Sequence, residues 1–302
     1  MDHQATCHKT KKKITPIEHP SISKTPSARI HEYFHAGFKF DVIDTGPLTG
    51  EPIILLHGFP ERANSWQKVS EILNAEGYRT LALEQRGYSL SAAPRGRFQY
   101  ALSALVEDVK ALVDLIGMPV YMVGHDWGSM VASEYALTYP QDLKHLSLIS
   151  VPHKAAYIRA LFTTSQFFSS YYVAFFQLPI LPEIMFKHIA KLRTFFLHQS
   201  GMTAQQITHF EQDFIHENRL STAINWYRSL ILSSPTTLFN KVHVPTLFVW
   251  GDKDIAINHK CAALNADYFT QEYKAVFLNA THWIPNQNAE DFCQHFLTVI
   301  QK

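Results

Sequence analysis

Two spacings of apolar residues alternate along the chain. The short unbroken run Ile53-Ile54-Leu55-Leu56 predicts a strand buried on both faces. Val120-Tyr121-Met122-Val123, Tyr78 to Leu83, His145 to Ser150, Pro245 to Trp250 and Tyr273 to Leu278 are also read as strands. Helical periodicity separates them. One helix is predicted around Ser65 to Glu76. Another runs from Ala101 to Ile116, with Leu102, Leu105, Val109, Leu112 and Val113 on one face. Ahead of the first run, RIHEYFHAG and FKFDVIDTG predict a β-hairpin from Arg29, supported by the alternation of Phe38, Phe40 and Val42. Strands alternating with helices predict an α/β fold: a mostly parallel sheet flanked by helices. Between Pro152 and about Lys241 the rhythm stops, and the sequence is helical and aromatic only. That predicts an inserted helical cap over 153–241, on a core of 29–152 and 242–302. Residues 1–28 are polar and proline-bearing and are read as a flexible tail.

Composition narrows the classes of function. A formal net charge of +1 over 302 residues gives no electrostatic reason to expect nucleic acid or an anionic membrane as partner. Cys7, Cys261 and Cys293 are too few and too far apart for a disulfide framework or a Cys-x-x-Cys metal site, which fits a reducing compartment. The most apolar stretch, Phe167 to Leu181, is short and broken by Ser169, Ser170, Gln177 and Pro179, so no stable membrane insertion is expected. No apolar segment follows Lys9, Lys11, Lys12 and Lys13, so a secretory signal is not expected and a cytoplasmic location is. The lysine run itself is read as part of a solvated tail in preference to a nuclear or membrane-surface element. His31-Glu32-Tyr33-Phe34-His35 matches H-E-x-x-H literally, but in a strand the two histidines stand roughly 13 Å apart, too far to share a zinc ion. No metal and no cofactor is expected.

The chemistry centres on Val123-Gly124-His125-Asp126-Trp127-Gly128-Ser129. It follows a strand and opens a helical pattern, with the G-x-nucleophile-x-G shape of a nucleophile elbow. The middle residue is aspartate. At a strand's carboxyl end and a helix N-terminus, backbone N–H groups keep a carboxylate ionised and available as a nucleophile. An N-cap role would explain Asp126 alone, but not glycines at both elbow positions. Three further strand ends carry candidate partners. His57-Gly58-Phe59-Pro60-Glu61 is a glycine-containing turn able to aim N–H groups at developing negative charge, with Phe59–Pro60 a candidate cis bond. Trp250-Gly251-Asp252-Lys253-Asp254 offers two acids. Thr281-His282-Trp283 offers one of the chain's 17 histidines, singled out by its position. The order nucleophile, acid, histidine is that of an α/β-hydrolase triad.

At these residues the chain resembles the α/β-hydrolase superfamily and, within it, the epoxide hydrolases. The resemblance runs from about Arg29 to Leu297 and rests on HGFPE (57–61), QRGYSLS (85–91), GHDWGS (124–129), INWYR (224–228), WGDKD (250–254) and THW (281–283) taken together. It implies an α/β-hydrolase fold and a small-molecule epoxide and water as reactants. It implies that Asp126 forms an alkyl-enzyme ester, that His282 activates water to hydrolyse it, and that the product is a vicinal diol. Asp254 matches the acid position better than Asp252. The alternative acid position after the preceding strand, Ser150-Val151-Pro152-His153, holds no acid. The backbone N–H groups of Phe59 and Trp127 correspond to the oxyanion hole. Tyr227 in INWYR matches one of two proton-donating cap tyrosines, and Tyr172, with Tyr171 as runner-up, matches the other. Phe59, Trp127 and Trp283 are expected to contact substrate. Glu84, Ser89 and Thr281 depart from the usual Asp, Gly and Gly.

Two other readings compete. A haloalkane dehalogenase shares the aspartate nucleophile and would use the Trp127 indole as a halide donor, but it needs no tyrosine pair. A non-catalytic protein that keeps the fold as a receptor is disfavoured by intact Asp126, Asp254 and His282. The aromatic density of the cap points to an apolar or aromatic epoxide. Oligomeric state is not readable from the sequence.

Overall fold

A computed structural model gives the structure of residues 28–232 and 235–301. The predicted tail, with Cys7 and the lysine run, lies outside the described residues except for Ala28.

Eight strands form one sheet in the order β1-β2-β4-β3-β5-β6-β7-β8. The hairpin β1 (Glu32–His35) and β2 (Phe38–Thr45) is antiparallel, and β2 joins β4 (Arg79–Leu83) antiparallel. The other contacts are parallel: β3 (Pro52–Leu56), β5 (Val120–His125), β6 (Leu143–Ile149), β7 (Thr246–Gly251) and β8 (Tyr273–Leu278). β8 matches its predicted bounds. β5 runs two residues further than its apolar pattern, carrying Gly124 and His125 into the elbow. The last four residues of the H-E-x-x-H stretch form β1, with His31 just before it, and His35 Nδ1 lies 2.7 Å from Asp108 Oδ1.

Alternation along the strands divides the core. Ile53, Leu55, Ala82, Val123, Leu247 and Val249 face α1 (Gln67–Ala75) and α13 (Ala289–Ile300). Ile54, Leu56, Leu81, Met122, Leu148 and Phe248 belong to the cluster packed under α2 (Leu102–Ile116) and α3 (Trp127–Thr138). Strands wholly buried on both sides explain the unbroken apolar runs.

Between β6 and β7 the described residues hold no strand. The chain runs through α4 (Lys154–Thr163), α5 (Gln166–Ser169), α6 (Tyr171–Gln177), α7 (Leu181–His188), α8 (Ala190–Gln199), α9 (Ala204–Phe210) and α10 (Leu220–Ser229). A π-turn over Glu211–His216 follows α9. α11 (His259–Ala263) and α12 (Ile284–Gln287) follow β7 and β8. The helical excursion is tied to the core by polar contacts. Trp226 Nε1 donates to the Arg86 carbonyl (2.8 Å), Thr222 Oγ1 to that of Gly87 (2.6 Å), and Arg62 Nη1 bonds Asp213 Oδ1 (2.9 Å). Among the described residues no helix is long and apolar enough to cross a membrane.

Candidate active site

Asp126 sits between β5 and α3 with φ 53° and ψ −118°. An L-residue holds that conformation only when its surroundings enforce it. Here they do, through close backbone approaches. A Cβ on Gly128 would lie 2.0 Å from the Leu56 carbonyl oxygen, and one on Gly58 would lie 2.4 Å from Asp126 Oδ1. Glycine at those two positions lets β3, its following turn and α3 close around one carboxylate.

The other strand ends converge on that carboxylate. His282 Nε2 is 3.3 Å from Asp126 Oδ2, and His282 Nδ1 is 2.7 Å from Asp254 Oδ2. Asp254 Oδ1 accepts the N–H groups of Ala256 (2.8 Å) and Ile257 (3.0 Å), so both its oxygens are engaged. Asp254 therefore stands where the acid was expected. Asp126 Oδ1 accepts the Phe59 N–H at 2.8 Å, and the Trp127 N–H also bonds this carboxylate. The Phe59–Pro60 peptide is cis.

Burial alone would raise the Asp126 carboxyl. The hydrogen bond and charge of His282, with the Trp127 N–H, outweigh it and hold the group below the usual carboxylate range. Burial alone would depress the His282 imidazole, but Asp254 and Asp126 on either side push it up to about 10. Asp126 and His282 thus lie side by side, each held toward its charged form by its neighbours.

Above Asp126 lies a cavity of about 710 Å³ whose lining includes Trp127, Tyr172 and Tyr227. The two tyrosine rings are 6.0 Å apart. Burial raises both hydroxyls well above the ordinary phenol value, and the Asp126 charge adds to it, so both remain protonated donors. Tyr171 is 57% exposed at the edge of the cavity, while Tyr172 packs against Tyr227. The INWYR motif explains how Tyr227 is held. Trp226 anchors on the Arg86 carbonyl. Arg228 donates to the Phe176 (3.1 Å) and Leu178 (2.7 Å) carbonyls, fastening α10 to the helix that carries Tyr172. Gln177 Nε2 adds a bond to the Tyr227 carbonyl at 2.8 Å.

Two residues expected to touch substrate are placed elsewhere. The Phe59 ring is buried edge-on against Tyr227, Phe176 and Phe214 and does not line the cavity. Trp283 is outside it too. Its Nε1 donates to the Ser200 carbonyl (2.9 Å) and its ring flanks His282 at 5.0 Å, so it braces the histidine loop. Trp127 does line the cavity.

The departures from the family pattern are accommodated. Buried Glu84 accepts the Ala63 N–H (3.0 Å) and pairs with Arg62. Ser89 has φ −67°, which needs no glycine, and its hydroxyl donates to Asp41 Oδ2 at 2.7 Å. Thr281 stands against Gly201, where a Cβ would lie 2.8 Å from the Thr281 Cβ, and donates to Gln287 Oε1 at 2.8 Å.

The sequence reading gave no role to Glu61 or His125, although both lie inside its strongest motifs. His125 Nε2 donates to the His282 carbonyl at 2.9 Å, and its Nδ1 lies 3.8 Å from Glu61 Oε2. Gln206 Nε2, from the helical excursion, donates to Glu61 Oε1 at 2.9 Å. Burial pushes the Glu61 carboxyl from the ordinary 4.5 up to about 7, with the Asp126 charge acting in the same direction. The folded state therefore holds this proton where the unfolded chain has lost it. Its contribution is fully present below pH 4.5 and is lost as pH rises through about 7. Buried His57 and His125, both depressed to about 3, act oppositely, favouring the folded state above pH 6.5 and losing that contribution as pH falls. The difference between wild type and Glu61→Gln isolates the carboxyl. Thermal unfolding across this window should show wild type losing up to about 3 kcal/mol relative to the variant as pH rises. Parallel curves would assign Glu61 an ordinary, ionised state.

Comparison with known proteins adds the family. The alpha/beta hydrolase fold profile matches residues 51–289. The chain is 30% identical over 282 residues to Epoxide hydrolase 4 of Mus musculus, covering 88% of this chain and 78% of that protein. It is 31% identical over 270 residues to Epoxide hydrolase 3 of Xenopus tropicalis, covering 85% and 73%. A crystal structure of an epoxide hydrolase from Vigna radiata superposes with a TM-score of 0.72 at 26% identity, over 88% of this chain and 95% of that one. That of a Bacillus megaterium epoxide hydrolase gives a TM-score of 0.78 at 24% identity, over 90% and 100%, and speaks to the fold.

Proposed function

The chain belongs to the α/β-hydrolase fold family and, within it, to the epoxide hydrolases, and from that premise we propose that it opens apolar or aromatic epoxides through a covalent ester on Asp126. The observation that carries the mechanism is the division of labour between the two Asp126 oxygens. Oδ1 is held by the Phe59 N–H, while Oδ2 faces His282. Oδ2 attacks an epoxide carbon, the ring C–O bond breaks, and its electron pair becomes an alkoxide. Tyr172 and Tyr227 donate to that oxygen as charge develops. Oδ1 remains as the ester carbonyl, already in the oxyanion hole formed by the Phe59 and Trp127 N–H groups.

Ester formation removes the negative charge that helped to raise His282. Its pKa falls, its proton leaves through solvent to restore the tyrosine hydroxyl spent on the alkoxide, and the neutral imidazole can then accept a proton from water. Asp254 keeps the ring oriented, as in the acid–histidine half of any such triad. Water attacks the carbonyl carbon, His282 takes one of its protons, and collapse of the tetrahedral intermediate breaks the ester C–O bond and releases the diol, to whose oxygen that proton returns; the water's other proton, left on the Asp126 carboxyl, passes to His282 and restores the resting pair. The dehalogenase alternative is weaker because it has no use for a tyrosine pair, and Tyr172 and Tyr227 both line the cavity. In this reading residues 153–241 are a cap unit that shapes the pocket and supplies the tyrosines, on a core of 29–152 and 242–302.

A single turnover of an aryl epoxide in ¹⁸O-labelled water tests the ester. The label is expected in the Asp126 peptide, with none in the first equivalent of diol. Label in that first diol would mean direct attack by water and would remove Asp126 from the nucleophile role. Tyr227→Phe is expected to slow ring opening by roughly 10²-fold and ester hydrolysis far less. Rapid-quench kinetics separate the two steps, and the reverse order would contradict the proton-donor assignment.

A further inference from the structure

Gln166 opens α5, in the helical excursion, and is fully buried. No motif marks it, and it does not line the cavity. An amide withdrawn from water needs partners. Oε1 accepts the Asn258 N–H at 2.9 Å, and Nε2 donates to the Ala256 carbonyl at 2.6 Å and to Ser170 Oγ at 3.1 Å. Two of these partners lie some ninety residues away, in the turn that follows Asp254.

That turn is held from both sides. Its Ala256 and Ile257 N–H groups donate to Asp254 Oδ1, while its Ala256 carbonyl and Asn258 N–H are held by the one amide of Gln166. The Asn258 side chain adds a second tie, with Nδ2 3.3 Å from both Thr164 Oγ1 and Ser165 Oγ. Asp254 turns its other oxygen to His282. Direct hydrogen bonds therefore run from the excursion through Gln166, Ala256 and Asp254 to the imidazole. On the opposite side Ser170 Oγ also accepts the Tyr157 hydroxyl at 2.7 Å, and Ser170 immediately precedes α6, which carries Tyr172.

We propose that Gln166 is a positioning residue: it fixes the turn that aims Asp254 at His282, so that the excursion sets the strength of the base that hydrolyses the ester. This rests on the ester mechanism proposed above. A buried amide that only filled space could be exchanged for an apolar side chain of its own size at a cost in stability alone. A clamp carries more. Without it two half-buried backbone groups lose their partners, the turn shifts to find others, and Asp254 moves with it. The groups that act on His282 are Asp254, Asp126, Glu61 and His125. Once Asp126 is an ester, Asp254 is the anion in direct contact with the ring, so loosening it weakens the base. Attack by Asp126 makes no direct use of Asp254.

The test is Gln166→Met, which keeps the volume and removes all three hydrogen bonds. Rapid-quench kinetics with an aryl epoxide separate ester formation from ester breakdown. Breakdown is a rate per ester formed, so it does not depend on how many chains are folded. Formation is expected to stay within about threefold of wild type, and breakdown to slow roughly 10- to 100-fold. Breakdown should rise with pH as His282 loses its proton, with the inflection at lower pH in the variant. Gln166→Ala, which leaves room for water at the two backbone groups, should move both quantities the same way by less, and it replaces the methionine variant if that does not fold. Unchanged breakdown, or both steps slowed alike with the inflection in place, would overturn the proposal. NMR titration of the His282 ring reads the same link without substrate. Its pKa in the resting protein, pushed up to about 10, is expected to drop in the variant. That drop, with no epoxide opened by wild type, would overturn the activity and leave the link standing. An unmoved imidazole would overturn the link.

Discussion

Asp126→Ala is expected to abolish epoxide turnover while the protein stays folded. The loss should be roughly four orders of magnitude or more, because no neighbouring group can take over the attack. Asp254 is turned away, with one oxygen on His282 and the other on two backbone N–H groups. Glu61 is buried beside His125, and its pushed-up carboxyl is a poor nucleophile when protonated. Neither lines the cavity. Stability should change little or rise by about 1 kcal/mol, since the substitution removes a buried charge at a site shaped for reactivity. A stopped assay with paired thermal unfolding checks both halves. Substantial turnover by a folded Asp126→Ala protein would show that the ester is not on the reaction path.

His282→Gln should separate the two chemical steps. Attack needs the ionised Asp126 and the tyrosine donors; the tyrosines remain, and the Phe59 N–H still holds the carboxylate, but without His282 its pKa rises, so the trapping is run at alkaline pH. Hydrolysis needs a base at the position now 3.3 Å from Asp126 Oδ2, and glutamine is not one. One equivalent of epoxide should therefore be consumed and held. Intact mass should rise by the whole mass of the epoxide, and the gain should map to the Asp126 peptide. Deacylation slowed by roughly 10³-fold or more would make that adduct stable enough to isolate. A haloalkane given separately should leave no adduct. An alkyl gain from it, with none from the epoxide, would mean dehalogenation instead.

The inner strands were legible because burial on both faces leaves unbroken apolar runs such as that of β3; β8 is an edge strand, half-exposed, and was still bounded to the residue. Asp126, Asp254 and His282 could be singled out because each follows a strand. The choice of Tyr172 over Tyr171 was not legible. Successive helical residues point about 100° apart, so of two tyrosines that both line the cavity Tyr172 packs on Tyr227 and Tyr171 stands at the exposed edge, a difference set by how α6 is rotated against α10. Arg228 fixes that rotation through carbonyls some fifty residues away in sequence. Glu61 escaped notice for a related reason. Its environment is completed by Gln206, which no local pattern connects to it. Phe59 and Trp283 show the opposite failure. Proximity to catalytic residues in sequence suggested contact with substrate, but packing turned both rings elsewhere.

β6 ends at Ile149 and β7 begins at Thr246, yet the two strands are hydrogen-bonded neighbours. The chain thus leaves the sheet and returns to its adjacent position after an excursion of about a hundred residues. Compared with a tight connection, loop closure over that length disfavours folding by only about 2–3 kcal/mol, because the penalty grows with the logarithm of length. Asp126, Asp254 and His282 all lie outside the excursion. The excursion can therefore be lengthened, shortened or exchanged, and with it the shape of the pocket, provided that its tyrosine pair is kept, while Asp126, Asp254 and His282 keep their places. Grafts between relatives joined just after β6 and just before β7 are the natural cut points for moving substrate preference from one to another.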